Sequence, residues 1–231
     1  MSWVNEATAV FRKEVQTEWR TRVALSATVL FAACSLTLIG LSLRDKDSAA
    51  VEPGVAAALL WVVLLFTAAT GLGRAFIQEE ERGTMLTLRL TAQASTVWTG
   101  KFVANAVLLL LLALISAPTL LAMVAVPVVN TAVLCCVLIL GCIGAAAVFT
   151  TTSALVAEAS AKGGLLAVLS FPLLIPLLQA GVHGTKIALG VGLTPTGSAF
   201  ALASGDLQLL GSYAVVAVTA SVMLFDFLWE G

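Results

Sequence analysis

Read along the chain, apolar residues come in long runs rather than in alternation. Six runs are each close to the 20 or so residues a helix needs to cross the hydrocarbon of a bilayer. They cover approximately 23–43, 55–77, 102–126, 132–157, 164–182 and 207–228. Charged residues or glycine-proline stretches separate them, the shortest connection being "PVVNT" at 127–131. A lone strand in lipid leaves its backbone polar groups unsatisfied, so each run is predicted helical.

The first 22 residues follow another pattern. At 100° per residue, Val4, Phe11, Val15 and Trp19 fall within an arc of roughly 80°, with Lys13, Gln16 and Arg20 on the opposite side. That periodicity predicts an amphipathic helix lying at the interface, with Trp19 near the headgroups. "FAAC" at 31–34 faintly resembles a lipoprotein cleavage site. Glu6, Glu14 and Glu18 before it, and the uninterrupted "SLTLIGLSL" after it, argue against cleavage. The expected fold is all-α, a single membrane domain over 1–231 with an interfacial helix at 1–22.

Two segments complicate this picture. The fourth run is rich in small residues (Gly141, Gly144, Ala145, Ala146, Ala147), which suits close helix packing. The fifth contains "SFPLLIPLL" at 170–178, where Pro172 and Pro176 each remove a backbone donor. A broken or re-entrant segment is expected there. Residues 183–206 are rich in glycine and read as short helices at the external membrane surface.

Composition agrees with a lipid-facing exterior. Hydrophobic residues make up 60% of the chain and charged ones 11%, less than half of what a soluble domain carries. The net charge of -1, with no basic patch, gives no reason to expect nucleic-acid binding. Cys34, Cys135, Cys136 and Cys142 lie inside apolar runs without metal-ligand or haem-attachment spacing and read as packing residues.

Lys and Arg distribution sets a direction. Arg12, Lys13, Arg20, Arg22, Arg74, Arg82, Arg89, Lys101 and Lys162 fall on one side; Arg44, Lys46 and Lys186 fall on the other. The richer side is read as cytoplasmic, with both termini there.

The chemistry of common enzymes is missing from the sequence. It contains no phosphate loop of the G-x-x-x-x-G-K-[ST] type, no H-E-x-x-H and no G-x-S-x-G. A single histidine, His183, leaves few candidates for acid-base catalysis at neutral pH. Glu158, Lys101 and Asp226 stand at the predicted ends of spans, so no proton relay is evident. No catalytic or metal-binding residues are expected, and energy for transport must come from a partner.

Against this background "GRAFIQEEERGTMLTLRL" concentrates charge on the cytoplasmic side. Residues 78–92 are expected to be a docking segment for a soluble partner. In it Glu79, Glu80, Glu81 and Arg82 offer complementary charge, Gly83 allows a turn, and Thr84 caps a short helix. Met85, Leu86 and Leu90 are the apolar anchors. The alternation of Leu86, Leu88 and Leu90 also suits a strand, and helix is preferred because the segment lies on a membrane face. A solvated loop carrying positive-inside charge is the plainer alternative.

Two stretches, "LGRAFIQEEERGTMLTLRLTA" (72–92) and "GGLLAVLSFPLLIPLL" (163–178), carry a family resemblance. The sequence resembles a permease family of the cytochrome c maturation ABC transporter, cytochrome c maturation protein B, also called haem exporter protein B. Length, six spans and the short N-terminal arm match end to end. The chain departs from the family at Thr91-Ala92-Gln93, where members often carry a Ser-Pro or Leu-Pro pair.

The resemblance implies an ABC-2-type, type V exporter-like half-transporter without ATPase activity of its own, in a bacterial inner membrane. It implies four kinds of partner: a separate ABC ATPase, a second permease that handles haem, a small single-span protein and a haem chaperone. Haem is then a substrate rather than a bound cofactor, and ATP acts only through the ATPase. On that reading Pro172 and Pro176 shape a moving or partner-facing part of the fifth span. His183, on the external side, is a candidate axial ligand for haem. The alternative function is a generic ABC-2-type exporter permease for a lipid, drug or polysaccharide.

Overall fold

A computed structural model describes residues 3–44, 51–72, 75–157, 162–193 and 198–230. Among the described residues there are helices and turns but no strands, and six helices are long and apolar enough to cross a membrane. In chain order the helices are α1 (Trp3–Thr21), α2 (Val23–Arg44), α3 (Pro53–Gly71), α4 (Ile77–Glu81), α5 (Met85–Thr91), α6 (Ala94–Met123), α7 (Thr131–Ala157), α8 (Lys162–Ala188) and α9 (Ala199–Glu230). Spans are formed by α2, α3, α6, α7, α8 and α9. Six crossings return the chain to its starting side. There α1, α4 and α5 lie beside the start of α6 and the ends of α7 and α9.

Helix α7 is central. It packs against α6, α8 and α9, and its face of small residues is buried, including Gly141, Gly144 and Ala145 to Ala147. Trp61 of α3 enters this region. A Cβ at Gly181 of α8 would lie 2.6 Å from the indole, and one at Gly141 would overlap it, so both positions need the absence of a side chain. The indole N–H donates to Thr185 Oγ1 (3.0 Å), which satisfies its polar edge inside the bundle.

One turn of α7 supplies four consecutive hydroxyls, each joined to a different group. Asn105 Nδ2 donates to Thr150 (2.8 Å) and Trp98 Nε1 to Thr151 (3.1 Å), both from α6. Thr152 pairs with Ser170 of α8 (3.0 Å). Ser153 accepts the backbone N–H of Phe76 (3.0 Å), in the link before α4. Successive residues on a helix point about 100° apart, so "TTTS" reaches three separate elements from a single turn.

The fifth span is not broken. α8 runs without interruption from Lys162 to Ala188, through Pro172 and Pro176. Both prolines are exposed, so their rings project outward. The two lost N–H donors leave the bonds on either side to carry the helix. Nor do residues 183–206 form separate surface helices. α8 extends through them to Ala188, and α9 starts at Ala199 with Ser198 Oγ accepting the Ala201 N–H (3.1 Å). Glycine and polarity there reflect helix ends rather than a surface segment; 194–197 lie outside the described residues.

Candidate functional site

The expected docking segment folds as two short helices. α4 and α5 are joined at Gly83, whose φ of +67° an L side chain rarely adopts. The strand alternative for 86–90 is thereby set aside. Thr84 precedes α5 but does not cap it with its side chain. Its hydroxyl turns back to donate to the Glu79 carboxylate and backbone carbonyl, so it closes the end of α4 instead.

Within the segment the charges divide by direction. Glu80, Glu81 and Arg82 are exposed, as is Leu90 at 79%. Glu79 and Met85 are buried. Met85 joins an apolar cluster with Phe76, Ile77, Val97 and Phe225, so it anchors α5 to its own chain rather than to a partner. The Leu86 side chain lies outside the described residues.

Glu79 belongs to an ion cluster inside the protein. Its Oε1 accepts from Lys13 Nζ of α1 (2.5 Å) and Lys101 Nζ of α6 (3.2 Å). Lys101 also donates to Glu14 Oε1 (2.7 Å) and to the Ala75 carbonyl (2.9 Å), and lies 5.0 Å from the centre of the Phe76 ring. Its side chain is fully buried. Three acceptors match the three donors of an ammonium group, which permits so deep a burial. Burial would raise the Glu79 pKa. The Lys101 charge and the hydrogen bonds from Lys13 and Thr84 prevail and hold it down at about 2.

Lys101 therefore differs from the span-end charge expected. α6 has 30 residues, a length of about 45 Å against a hydrocarbon thickness of about 30 Å. It is thus longer than one crossing needs, and Lys101, within its second and third turns, is covered by α1 and α4.

α1 presents another face than its apolar stripe predicts. Ala7 and Val10 are buried against α6, and Val10 fits beside Gly100, where a Cβ would come within 2.6 Å of it. Glu14 lies on the same side as these residues, roughly a quarter-turn from Val4, Phe11 and Val15. Close packing and the ion cluster set the face that meets protein. Val4 is left exposed. The Trp19 side chain lies outside the described residues. α1 ends at Thr21, Arg22 turns the chain with φ 54°, and Glu18 Oε1 accepts the Leu25 N–H (2.6 Å), which caps α2.

α5 is held from its other side by α9. The Arg89 guanidinium lies 5.8 Å from the centre of the Trp229 ring; Trp229 packs on Phe225, and Phe225 on Phe76. The result is a platform at one membrane face. It is fixed underneath by ions and aromatic rings and carries charge and one large apolar residue on its outer side.

Compared with family models, residues 5–225 match the family described as CcmB protein. The chain belongs to the CcmB protein family. A search of curated proteins found no significant match. CcmB membership makes this chain a membrane permease subunit of the ABC transport system of cytochrome c maturation. It favours that role over the generic exporter.

At the opposite face of this CcmB member, His183 is 65% exposed in its side chain and its Nδ1 lies 2.7 Å from Asp206 Oδ2 of α9. His183 and the platform are at opposite ends of the bundle and form no common site. Pro172 and Pro176 lie on the outer side of α8, apart from both. Among the described residues no group of three or more His, Cys, Asp or Glu could hold a metal ion. Three features here escape a reading of the sequence: Lys101, its partners on α1, and the hydroxyl turn at 150–153. An "EV" four residues before "EW" on a charged helix gives no sign that Glu14 faces inward. A buried lysine at the start of a span reads first as a topology signal.

Proposed function

We propose that this protein transmits ATP-driven movement from a separate ATPase to the membrane through α4 and α5. In this reading the platform faces the cytoplasm of a bacterial inner membrane, both termini lie there, and the transported or released cargo is haem or the haem-loaded chaperone. The observation that carries it is the two-sided construction of the segment. Glu80, Glu81, Arg82 and Leu90 are exposed toward a partner while Glu79 and Met85 tie the same segment to α1 and α6. A load on the outer face is thus passed inward through charge-assisted hydrogen bonds, which are short and directional. A second permease, a small single-span protein and the haem chaperone complete the proposed assembly.

We assign His183 a role at the external face, as a candidate axial ligand for haem. Asp206 occupies Nδ1, which leaves Nε2 as the coordinating nitrogen.

Co-purification of the ATPase with the permease, at equal expression, tests the platform. Leu90→Asp is expected to reduce recovery strongly, because apolar anchors outweigh exposed ion pairs of about 0–1 kcal/mol. Reversing Glu80 and Glu81 to lysine is expected to weaken docking at low salt, with a smaller effect at high salt. Normal recovery with Leu90→Asp refutes α5 as the coupling element. For His183, loss of a bound-haem absorption band in His183→Ala is expected; an unchanged band removes it as a ligand.

A further inference from the structure

A cavity of about 210 Å³ lies behind α1, where α2 enters the membrane. Its polar wall consists of Glu14 and Glu18 of α1, Gln78 of α4 and Asn105 of α6. Its apolar wall includes Leu25, Val107 and Leu111, all exposed on the flank that faces the bilayer. The cavity thus opens sideways at the depth where headgroups meet acyl chains. We infer that it binds a membrane lipid with a primary ammonium headgroup, phosphatidylethanolamine in chemistry, with the ammonium at the Glu14–Glu18 end and an acyl chain along Leu25 and Leu111.

The polar wall selects the headgroup. Two carboxylates line the cavity, and among the described residues none of those lining it is cationic. Glu14 is engaged by Lys101, behind the wall, and lies 3.7 Å from Lys13, while Glu18 accepts a backbone N–H and is the carboxylate with charge to offer. The Asn105 amide donates one N–H to Thr150, which leaves its carbonyl oxygen as an acceptor and its second N–H as a donor. The wall is rich in acceptors, and an ammonium group brings three N–H donors and a positive charge. A choline headgroup has the charge but no donor, and it is recognised by aromatic cages. Among the described residues the lining contains no aromatic ring. A glycerol headgroup leaves only the phosphate charge, which the two carboxylates repel.

Native mass spectrometry of the purified full chain tests this, after exchange into micelles with equal amounts of dioleoyl phosphatidylethanolamine, phosphatidylcholine and phosphatidylglycerol. Retention of phosphatidylethanolamine over each of the others by about tenfold is expected, the ratio one well-made charged contact supports. Glu18→Gln keeps an acceptor for the Leu25 N–H but loses the charge, and it should abolish the preference. Ala104→Phe, which fills the cavity from α6, should lower retention of all bound lipid at this site. Equal retention of the three lipids by the unmodified chain overturns the inference. So does a preference for phosphatidylglycerol, which would mark an anion site, or a preference that persists in both variants.

Discussion

Replacing Lys101 with methionine tests the ion cluster directly, because length and apolar volume are nearly kept while the charge is lost. Lys101 Nζ meets Glu14 at 2.7 Å, Ala75 O at 2.9 Å and Glu79 at 3.2 Å. With an effective dielectric of about 20, each carboxylate contact is worth roughly 5–6 kcal/mol of gross attraction. Desolvation of the ammonium and repulsion between the two carboxylates offset much of this. What remains is the cost of breaking a buried pair, about 3–5 kcal/mol. The substitution leaves Glu14 and Glu79 sharing Lys13 and deprives the Ala75 carbonyl of its donor. Unfolding in mixed micelles should show that loss, and trypsin should cut faster at Arg82 as α4 comes loose. Adding Glu79→Gln to Lys101→Met should restore part of the stability, because Lys13 then no longer has two carboxylates to compensate. If Lys101→Met unfolds within about 0.5 kcal/mol of the unmodified protein and Arg82 is cut at the same rate, the cluster does not hold the platform.

Four further outcomes follow from named contacts. Glu79 is depressed from an ordinary 4.5 to about 2, so its contribution to stability is complete above about 4.5 and lost as pH falls toward 2; Glu79→Gln should flatten that limb of a stability–pH curve. Ser153→Ala should cost about 1–3 kcal/mol, read by the same unfolding assay, because it leaves the buried Phe76 N–H without an acceptor. Gly181→Ala should cost about 1–3 kcal/mol by pressing on Trp61, whereas Gly205→Ala, with open space around it, should be neutral or mildly stabilising. Gln93→Pro should be tolerated and raise stability by up to about 1 kcal/mol: Gln93 has φ -76° and Ala92 is extended, the conformations that a proline and its predecessor prefer.

The last of these bears on the departure from the family at 91–93. The chain exits α5 through an extended Ala92–Gln93 link without a proline, and α6 starts at Ala94 all the same. More generally, hydropathy marks the spans because lipid imposes one requirement along the whole of each helix. It gives their ends poorly, as at 183–206, where glycine and polar residues are compatible with both a loop and the last turns of a long helix. Periodicity shows that α1 has an apolar stripe but cannot tell which side meets protein; the third of a turn between exposed Val4 and buried Val10 does. The docking segment is visible because its charges cluster, yet Glu79 and Glu80 look alike in sequence. Only the three-dimensional approach of Lys13 and Lys101 separates an inward carboxylate from an outward one. The hydroxyls of 150–153 are invisible for a similar reason, since threonine and serine sit near neutral on a hydropathy scale and their partners are up to 77 positions away.

The chain of rings from Phe76 through Phe225 to Trp229, with Arg89 above the last, has a consequence for biosynthesis. The segment at 77–91 emerges from the ribosome well before the aromatic residues that brace it, Phe225 and Trp229 of α9. α1 is available from the outset through Lys13 and Glu14, so one support forms early and the other only when the sixth crossing is in place. An incompletely inserted chain would thus display a loosely held α5, with Met85 and its apolar neighbours uncovered. The platform is therefore complete only once α9 has been made and packed against it.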